Sequence, residues 1–230
     1  MSALGDYDAG LTLVIEASTA AGSVALLRGD TLLQRREAAM GASREDALFP
    51  AVQSALEAED VDPEALACIV CGDGPGSFTS LRIAAAIAKG FAHAHAVPLF
   101  AVSSLLLAAA SHGHAGEFVV HANALRGERY ALPVRIDEML RVQATGAVVR
   151  VAQSALDELV SGRSRLVVLE PPLTLDESRV VPDASQLARI SGWRRAGRVS
   201  LREWEPGYGR LAEAQVRWEA THQRALPTSP

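Results

Sequence analysis

"CGDGPGSFTSLR", Cys71 to Arg82, decides how the first half of the chain is read. Three glycines and a proline fall within its first six residues, and an alanine-rich helical pattern follows at once. Ahead of it, "ALACIVCG" is an apolar run of the kind that forms a buried strand. The stretch is therefore a strand end, a tight turn and a helix start. Free backbone N–H groups at such a start can hold an anion, and Gly72, Gly74 and Gly76 would let a ligand approach the main chain closely. It is not a P-loop, because no Gly-Lys-Ser/Thr follows and Lys89 lies too far along; the spacing also departs from G-x-G-x-x-G. A tight strand-to-helix connection capped by Ser77 or Thr79 is the plainer reading.

Outward from this turn the pattern is regular. "LTLVIEAS" (Leu11 to Ser18) reads as a buried strand, and "GSVALLRGDTLLQRREA" as two more joined at Gly29-Asp30. In "SREDALFPAVQSALEA", Ala47, Leu48, Ala51, Val52, Ala55 and Leu56 recur at one helical turn. Ser43 is the expected N-cap, Asp46 its capping-box partner, and Pro50 falls in the first turn or two. A helix from about Thr79 to His95 follows the glycine turn. "VPLFAV" is then a strand, and Ser103 or Ser104 caps a short helix ending near Gly113. This β-β-β-α-β-α-β order implies a mixed sheet with helices on it.

The second half is less regular. "EFVVHANA" and "RYALPVRI" are expected strands joined at Arg126-Gly127-Glu128. Ala152 to Val160 reads as a helix, "RLVVLE" as a strand, Ser185 to Ile190 as a short helix and "LAEAQVRWEATH" as a terminal helix. A lobe boundary near Ser103 is expected, with an N-terminal lobe over residues 1–103. Residues 104–230 would form a smaller, divergent lobe whose last helix packs back on the first. No repeat of fixed period is visible.

Composition narrows the function. The 230 residues are 49% hydrophobic and 21% charged, ordinary for a soluble globular protein. A net charge of −5 argues against gripping nucleic acid unaided. The one basic cluster, Arg194, Arg195 and Arg198, reads as a solvated surface loop. The two cysteines, Cys68 and Cys71, lack a second pair for zinc and point to opposite faces of a strand, so they read as buried, reduced thiols. No signal peptide or membrane span is apparent, since the longest apolar run, Val97 to Ala110, is too short to cross a bilayer. A cytoplasmic protein is expected.

Two stretches together carry a more specific reading. In "IEASTAAGSVAL" a buried strand ends in Glu16, Ala17, Ser18 and Thr19 and re-enters a strand after Gly22. Two such turns, after the first and fourth strands, point to an actin/Hsp70/sugar-kinase-like fold: α/β, two-lobed, ribonuclease H-like, with mixed sheets flanked by helices. "LVIEASTAAGSVAL", "GPGSFTSLRIAAAIAKGFA" and "ASREDALFPAV" resemble the TsaB (YeaZ) family, as does "EPGYGRLAEAQVRWE" with Pro206, Tyr208 and Arg210. The match is strong over residues 11 to 105 and patchy beyond.

The resemblance implies a subunit of the bacterial machinery that makes threonylcarbamoyladenosine (t6A) in tRNA, beside the anticodon. In that family the subunit pairs with its paralogue TsaD, which carries the metal and the active site, and an ATPase, TsaE, joins them. tRNA would be reached through the complex, and a homodimer is expected when the chain is alone. The family's two first-lobe helices pack against their equivalents in the partner. Leu48, Ala51, Val52, Ala55, Ala84, Ala88 and Ala92 are the expected interface, the last three a small-residue seam. On that reading Ala88→Glu weakens pairing and leaves folding intact. The opposite reading, with every one of these positions facing the chain's own sheet, is equally open.

Departures from the family bear on catalysis. Glu16 replaces the usual Asp and would push a carboxylate into a phosphate or magnesium site; Ser80 replaces a Gly; and Asn123, Ala124 and Leu125 stand for Asp-Ala-Arg. No histidine pair lies at Ser43 to Ala47, His93 and His95 fall on different helix faces, and His112 and His114 flank a glycine, so no metal site and no catalytic residues are expected. Glu16, Ser18, Thr19, Gly74, Gly76 and Ser77 would form a vestigial nucleotide site, with ATP or ADP bound weakly and no cofactor required. An ATP-dependent phosphotransferase on the same fold is the competing reading. A peptidase (glycoprotease) is a third, disfavoured because no Ser/His/acid set or HExxH occurs.

Overall fold

The computed structural model describes residues 9–40, 47–168, 177–208 and 221. In the opening strand β1 (Leu11–Glu16), Leu13 and Ile15 enter one core and Val14 another, so both faces are buried. That is why its sequence is a continuous apolar run rather than an alternation. β2 (Ala21–Arg28) and β3 (Thr31–Ala39) return antiparallel through Gly29-Asp30, where Gly29 has φ 57°. After α1 (Leu48–Glu57), β4 (Leu66–Gly72) lies parallel to β1; after α2 (Phe78–Ala94), β5 (Leu99–Val102) lies parallel to β4. The first sheet is ordered β3-β2-β1-β4-β5.

The second sheet follows α3 (Ser104–Ala109). β6 (Gly116–Leu125) and β7 (Glu128–Ile136) form a hairpin, and β8 (Val142–Ala144) and β9 (Val149–Ala152) both pair with β7. After α4 (Leu156–Val160), β10 (Ser164–Val168) lies parallel to β6 and β11 (Glu177–Val180) parallel to β10, giving the order β11-β10-β6-β7-β8. The two sheets share one plan: an antiparallel meander, a helix, then strands added parallel to the first. This duplicated mixed sheet is the actin/Hsp70/sugar-kinase-like arrangement. A 3-10 turn (Ala184–Arg189) and α5 (Trp193–Ala196) lead into a segment that runs to Tyr208.

Two apolar layers hold these elements. Leu13, Ile15, Leu26, Ile69 and Cys71 pack beneath α1 and α2. On the reverse face, Val14, Leu27, Cys68, Val70 and Phe100 meet Leu105, Leu107 and Ala108 of α3 and the inner face of the second sheet, among them Val120, Leu132, Val134 and Leu166. One core therefore spans both sheets. Cys68 and Cys71 lie in different layers, as strand geometry requires, and both are free and buried.

Several local expectations change. The α2 helix starts at Phe78 with Ser77 as its cap, whereas Ser43 and Asp46 fall outside the described residues and α1 begins at Leu48. Ala152 ends β9, and the helix expected over Ala152–Val160 is present from Gln153 as a 3-10 turn (Gln153–Ala155) that runs straight into α4. The strands β8, β9 and β11 and the helix α5 are additional. Arg194 is half-buried, its guanidinium 4.5 Å from the Trp193 ring centroid, rather than free in solvent. The "LAEAQVRWEATH" helix, apart from Thr221, lies outside the described residues.

The expected interface needs the main correction. Leu48, Val52, Ala55, Ala84, Ala88 and Ala92 are 0% exposed and Ala51 7%, all within the core shared with the first sheet. Alanines line α2 there because small side chains let the helix lie close on β1 and β4, so the seam serves the chain's own fold. Ala88→Glu is expected to destabilise the isolated chain by about 3 kcal/mol or more, since it buries an unpaired charge. Urea unfolding checks this; wild-type stability would restore the interface reading.

The outer face of the second sheet holds buried charge beside Val119, Ala131, Leu156 and Val160. An Arg129 N–H donates to His121 Nδ1 at 2.9 Å, Glu177 stands 3.4 Å from His121 Nε2, and Arg165 stands 3.8 Å from Glu177. Burial first, and then Arg129, pull the His121 imidazole down to about 4. Its pKa is thus lower folded than unfolded, so its contribution to stability is complete above about pH 6.5 and is lost as pH falls toward 4. Urea unfolding at pH 7 and pH 4.5 should show this loss, and His121→Gln should flatten it.

Candidate functional site

β1, β4 and β5 end side by side at Glu16, Gly72 and Val102, where ligand crevices of open α/β sheets lie. Glu16 is fully buried there. Its Oε1 accepts from the Ser18 N–H at 2.6 Å and its Oε2 from the Ser104 hydroxyl at 2.8 Å, and Ser104 Oγ accepts in turn from Gly74 N–H at 3.0 Å. Burial raises the carboxyl above the usual carboxylate range, while the bonds from Ser18 and Ser104 pull it back. The extra methylene therefore does not project the carboxylate toward a phosphate. It carries it sideways, into bonds with the chain.

The glycine turn closes over this carboxylate. A Cβ on Gly72 would collide with Glu16 Oε2, and one on Gly76 with the Ser18 carbonyl, to which the Ser77 N–H donates at 2.8 Å. Gly74, at φ 84°, is covered by the Gly207 carbonyl. Ser77 Oγ accepts from the Ser80 hydroxyl at 3.0 Å and caps α2, and Thr19 Oγ1 accepts from the Ala21 N–H at 3.2 Å. The structure thus brings Glu16, Ser18, Gly74, Gly76 and Ser77 together but turns their polar groups on one another, with Thr19 engaged locally. Asn123 accepts from the Leu125 N–H at 2.7 Å, forming part of the β6–β7 hairpin tip.

A strap completes the closure. Ala101 N–H donates to the Gly197 carbonyl at 2.7 Å and Val199 N–H to the Leu99 carbonyl at 3.0 Å, so the chain runs along β5. Beyond it, the Trp204 indole donates to Asp73 Oδ1 at 3.0 Å and the Gly207 N–H to the Asp73 carbonyl at 2.8 Å. The Tyr208 ring lies 4.7 Å from Phe78, and Lys89 lies 3.4 Å from Glu205. Burial and Glu205 push the Tyr208 phenol up to about 12. The sequence marks Gly72 only as a turn glycine and Ser104 only as a candidate helix cap, and Asp73 and Trp204 not at all, because each acts here through a segment distant in sequence.

Among the described residues, no group of three or more His, Cys, Asp or Glu is placed to hold a metal, and no helix is long and apolar enough to cross a membrane.

Outside the crevice, α1 and α2 present a different surface. A groove of about 500 Å³ is lined by Phe49, Ala86, Ile87, Gly90, Phe91 and Ala94. Phe49 is 45% exposed and its ring lies 6.0 Å from that of Phe91. A second hollow of similar size adjoins it, rimmed by Glu57, Asp60 and Asp62. The signal was present in "IAAAIAKGFAHA", which is apolar nearly all round and so cannot satisfy every face on one sheet.

The family model of TsaD, the tRNA N6-adenosine threonylcarbamoyltransferase, matches residues 41–166. The chain belongs to this family. Within it, the chain is 37% identical over 102 residues to the tRNA threonylcarbamoyladenosine biosynthesis protein TsaB of Bacillus subtilis (strain 168). That alignment spans 44% of this chain and 44% of the relative, less than half of its length. YeaZ from Pseudomonas aeruginosa superposes with a TM-score of 0.72 at 23% identity, covering 84% of this chain and 97% of that one. A second solved structure, of a protein with similarity to the peptidase YeaZ from Pseudomonas aeruginosa, has the same TM-score at 25% identity and covers 87% and 100%.

Closure of the crevice makes a prediction. Gly76→Ala meets a backbone carbonyl and is expected to cost about 3 kcal/mol or more in urea unfolding. Gly72→Ala meets a side chain, so its cost should shrink in a Glu16→Asp background; additive effects would show that the carboxylate does not occupy the turn.

Proposed function

We propose that this chain is a non-catalytic subunit of the machinery that makes threonylcarbamoyladenosine in tRNA, docking on a TsaD-type catalytic partner. Family membership supplies the pathway. The observation that carries the subunit role is the pairing of a filled crevice with an open apolar groove. Phosphoryl transfer relies on preorganised donors and charges aimed at the transferring group; here Glu16, Ser104, Gly74, Ser18 and Ser77 are bonded to one another. ATP or ADP therefore binds weakly, and the ATPase TsaE supplies nucleotide chemistry to the assembly. tRNA is reached through the complex, which works in the cytoplasm.

The partner's site is the outer face of α1 and α2, not the small-residue seam beneath it. Phe49, Ile87 and Phe91 offer aromatic and aliphatic anchors around a hollow, the composition that concentrates binding energy at interfaces. A matching apolar helix pair fits there, and without it a second copy of the chain occupies the same face.

Co-expression with the TsaD homologue of the same organism is expected to give a stable complex. Phe49→Glu and Ala86→Glu, both on exposed positions, should weaken it at least tenfold with the monomer's thermal unfolding unchanged. Calorimetric titration with magnesium–ATP should give a Kd weaker than about 100 µM. A complex indifferent to both substitutions would refute the docking face, and steady ATP turnover by the isolated chain would refute the non-catalytic reading.

A further inference from the structure

A separate cavity of about 280 Å³ opens beside the filled crevice, between the two sheets. It is lined by Asp73 of the glycine turn, Ser103 at the end of β5, Tyr130 of β7, and Val148, Val149 and Arg150 around the start of β9. Glu16 takes no part in it.

Three of these groups are incompletely used by the fold. Asp73 accepts through Oδ1 from the Trp204 indole at 3.0 Å and from the Gly207 N–H at 3.3 Å, and its Oδ2 makes no hydrogen bond to a described residue. Burial raises its carboxyl above the usual range, while the bonds from Trp204 and Gly207 pull it back. Ser103 stands at the cap position of α3 without capping it, and its Oγ is buried with no hydrogen-bond partner. Arg150 reaches Glu128 only at 3.4 Å, with both side chains partly exposed, so its guanidinium retains donors for another anion.

The cavity thus offers an anion, a cation, an unused hydroxyl and a valine wall. Its volume lies at the small end of ligand pockets. A small ligand that carries both charges would engage both ionic groups at once. We propose that this cavity binds a small, free amino acid as its zwitterion. The ammonium group donates to Asp73 Oδ2, the carboxylate accepts from Arg150, the Ser103 hydroxyl bonds one of these groups, and a short side chain rests on Val148 and Val149. Charge-assisted bonds at both ends give selectivity for the zwitterion over molecules carrying only one of its charges. This goes beyond the subunit role and does not depend on it, since the cavity lies away from the α1/α2 groove.

The test is calorimetric titration of the full chain with L-serine, L-threonine and L-valine. L-valinamide and N-acetyl-L-valine serve as controls that each delete one charge. At least one free amino acid is expected to bind, and both controls at least tenfold more weakly than L-valine. Asp73→Asn and Arg150→Gln should each weaken binding at least tenfold. Asp73 also holds the strap, so Arg150→Gln, on a partly exposed side chain, keeps the test decisive if the other variant misfolds. Silence from all three amino acids up to about 10 mM, where even a Kd near 1 mM would register, would overturn the proposal. So would equal binding of L-valine and its amide, or unchanged binding in Arg150→Gln.

Discussion

One apolar layer, shared by the two sheets through α3, constrains the rest of the molecule. Phe100, Leu105, Leu107, Leu132 and Leu166 belong to it, and each buried side chain of this size is worth roughly 1.5–3 kcal/mol. Parting the sheets would expose many at once. Polar contacts fasten the same seam: Arg35 pairs with Asp183 at 2.7 Å, and the Ala184 N–H donates to Ser23 Oγ at 2.9 Å. The sheets are therefore held against each other through one core, and the open apolar groove lies on the outer face of α1 and α2.

The filled crevice follows from that shared core. With the strand ends held at fixed separation, one additional methylene at position 16 is enough to bridge from β1 to the first residue of α3. Gly72 has no side chain because the carboxylate occupies that space, and Gly76 has none because the Ser18 carbonyl does. The glycines that look like preparation for a phosphate are, in this chain, preparation for close packing of two loops. The strap from Gly197 to Tyr208 then covers what remains, through Trp204 and Gly207 on Asp73.

Much of the first half was legible in the sequence, and the reasons are local. β1, β4 and α2 are long, strongly patterned runs, and Gly29-Asp30 and the glycine turn are clear punctuation, although Ser77 and Thr79 competed as the cap of α2. β8, β9 and β11 were not legible, because strands of three or four residues such as "VQA" or "ESRV" carry no measurable period and form only through pairing with β7 and β10. Tertiary pairing likewise claimed Ala152 for β9 where local pattern suggested a helix. The duplication of the sheet plan is invisible as a repeat, since strand order survives where sequence likeness does not. At the site, the pattern of Ala84, Ala88 and Ala92 identified an apolar face but could not say what buries it. Periodicity reports that a face avoids water; only the fold reports whether the cover is the chain's own sheet or another molecule.

The backbone bonds that Ala101 and Leu99 make to Gly197 and Val199 have a consequence for crowding. They occupy the β5 rim of the first sheet, which would otherwise template strand addition by neighbouring molecules. The opposite rim, β3, carries Gln34, Arg35, Arg36 and Glu37, whose charge and desolvation cost discourage ribbon growth there. A protein that leaves greasy helices open for company has thus shut both margins of that sheet against fibrils.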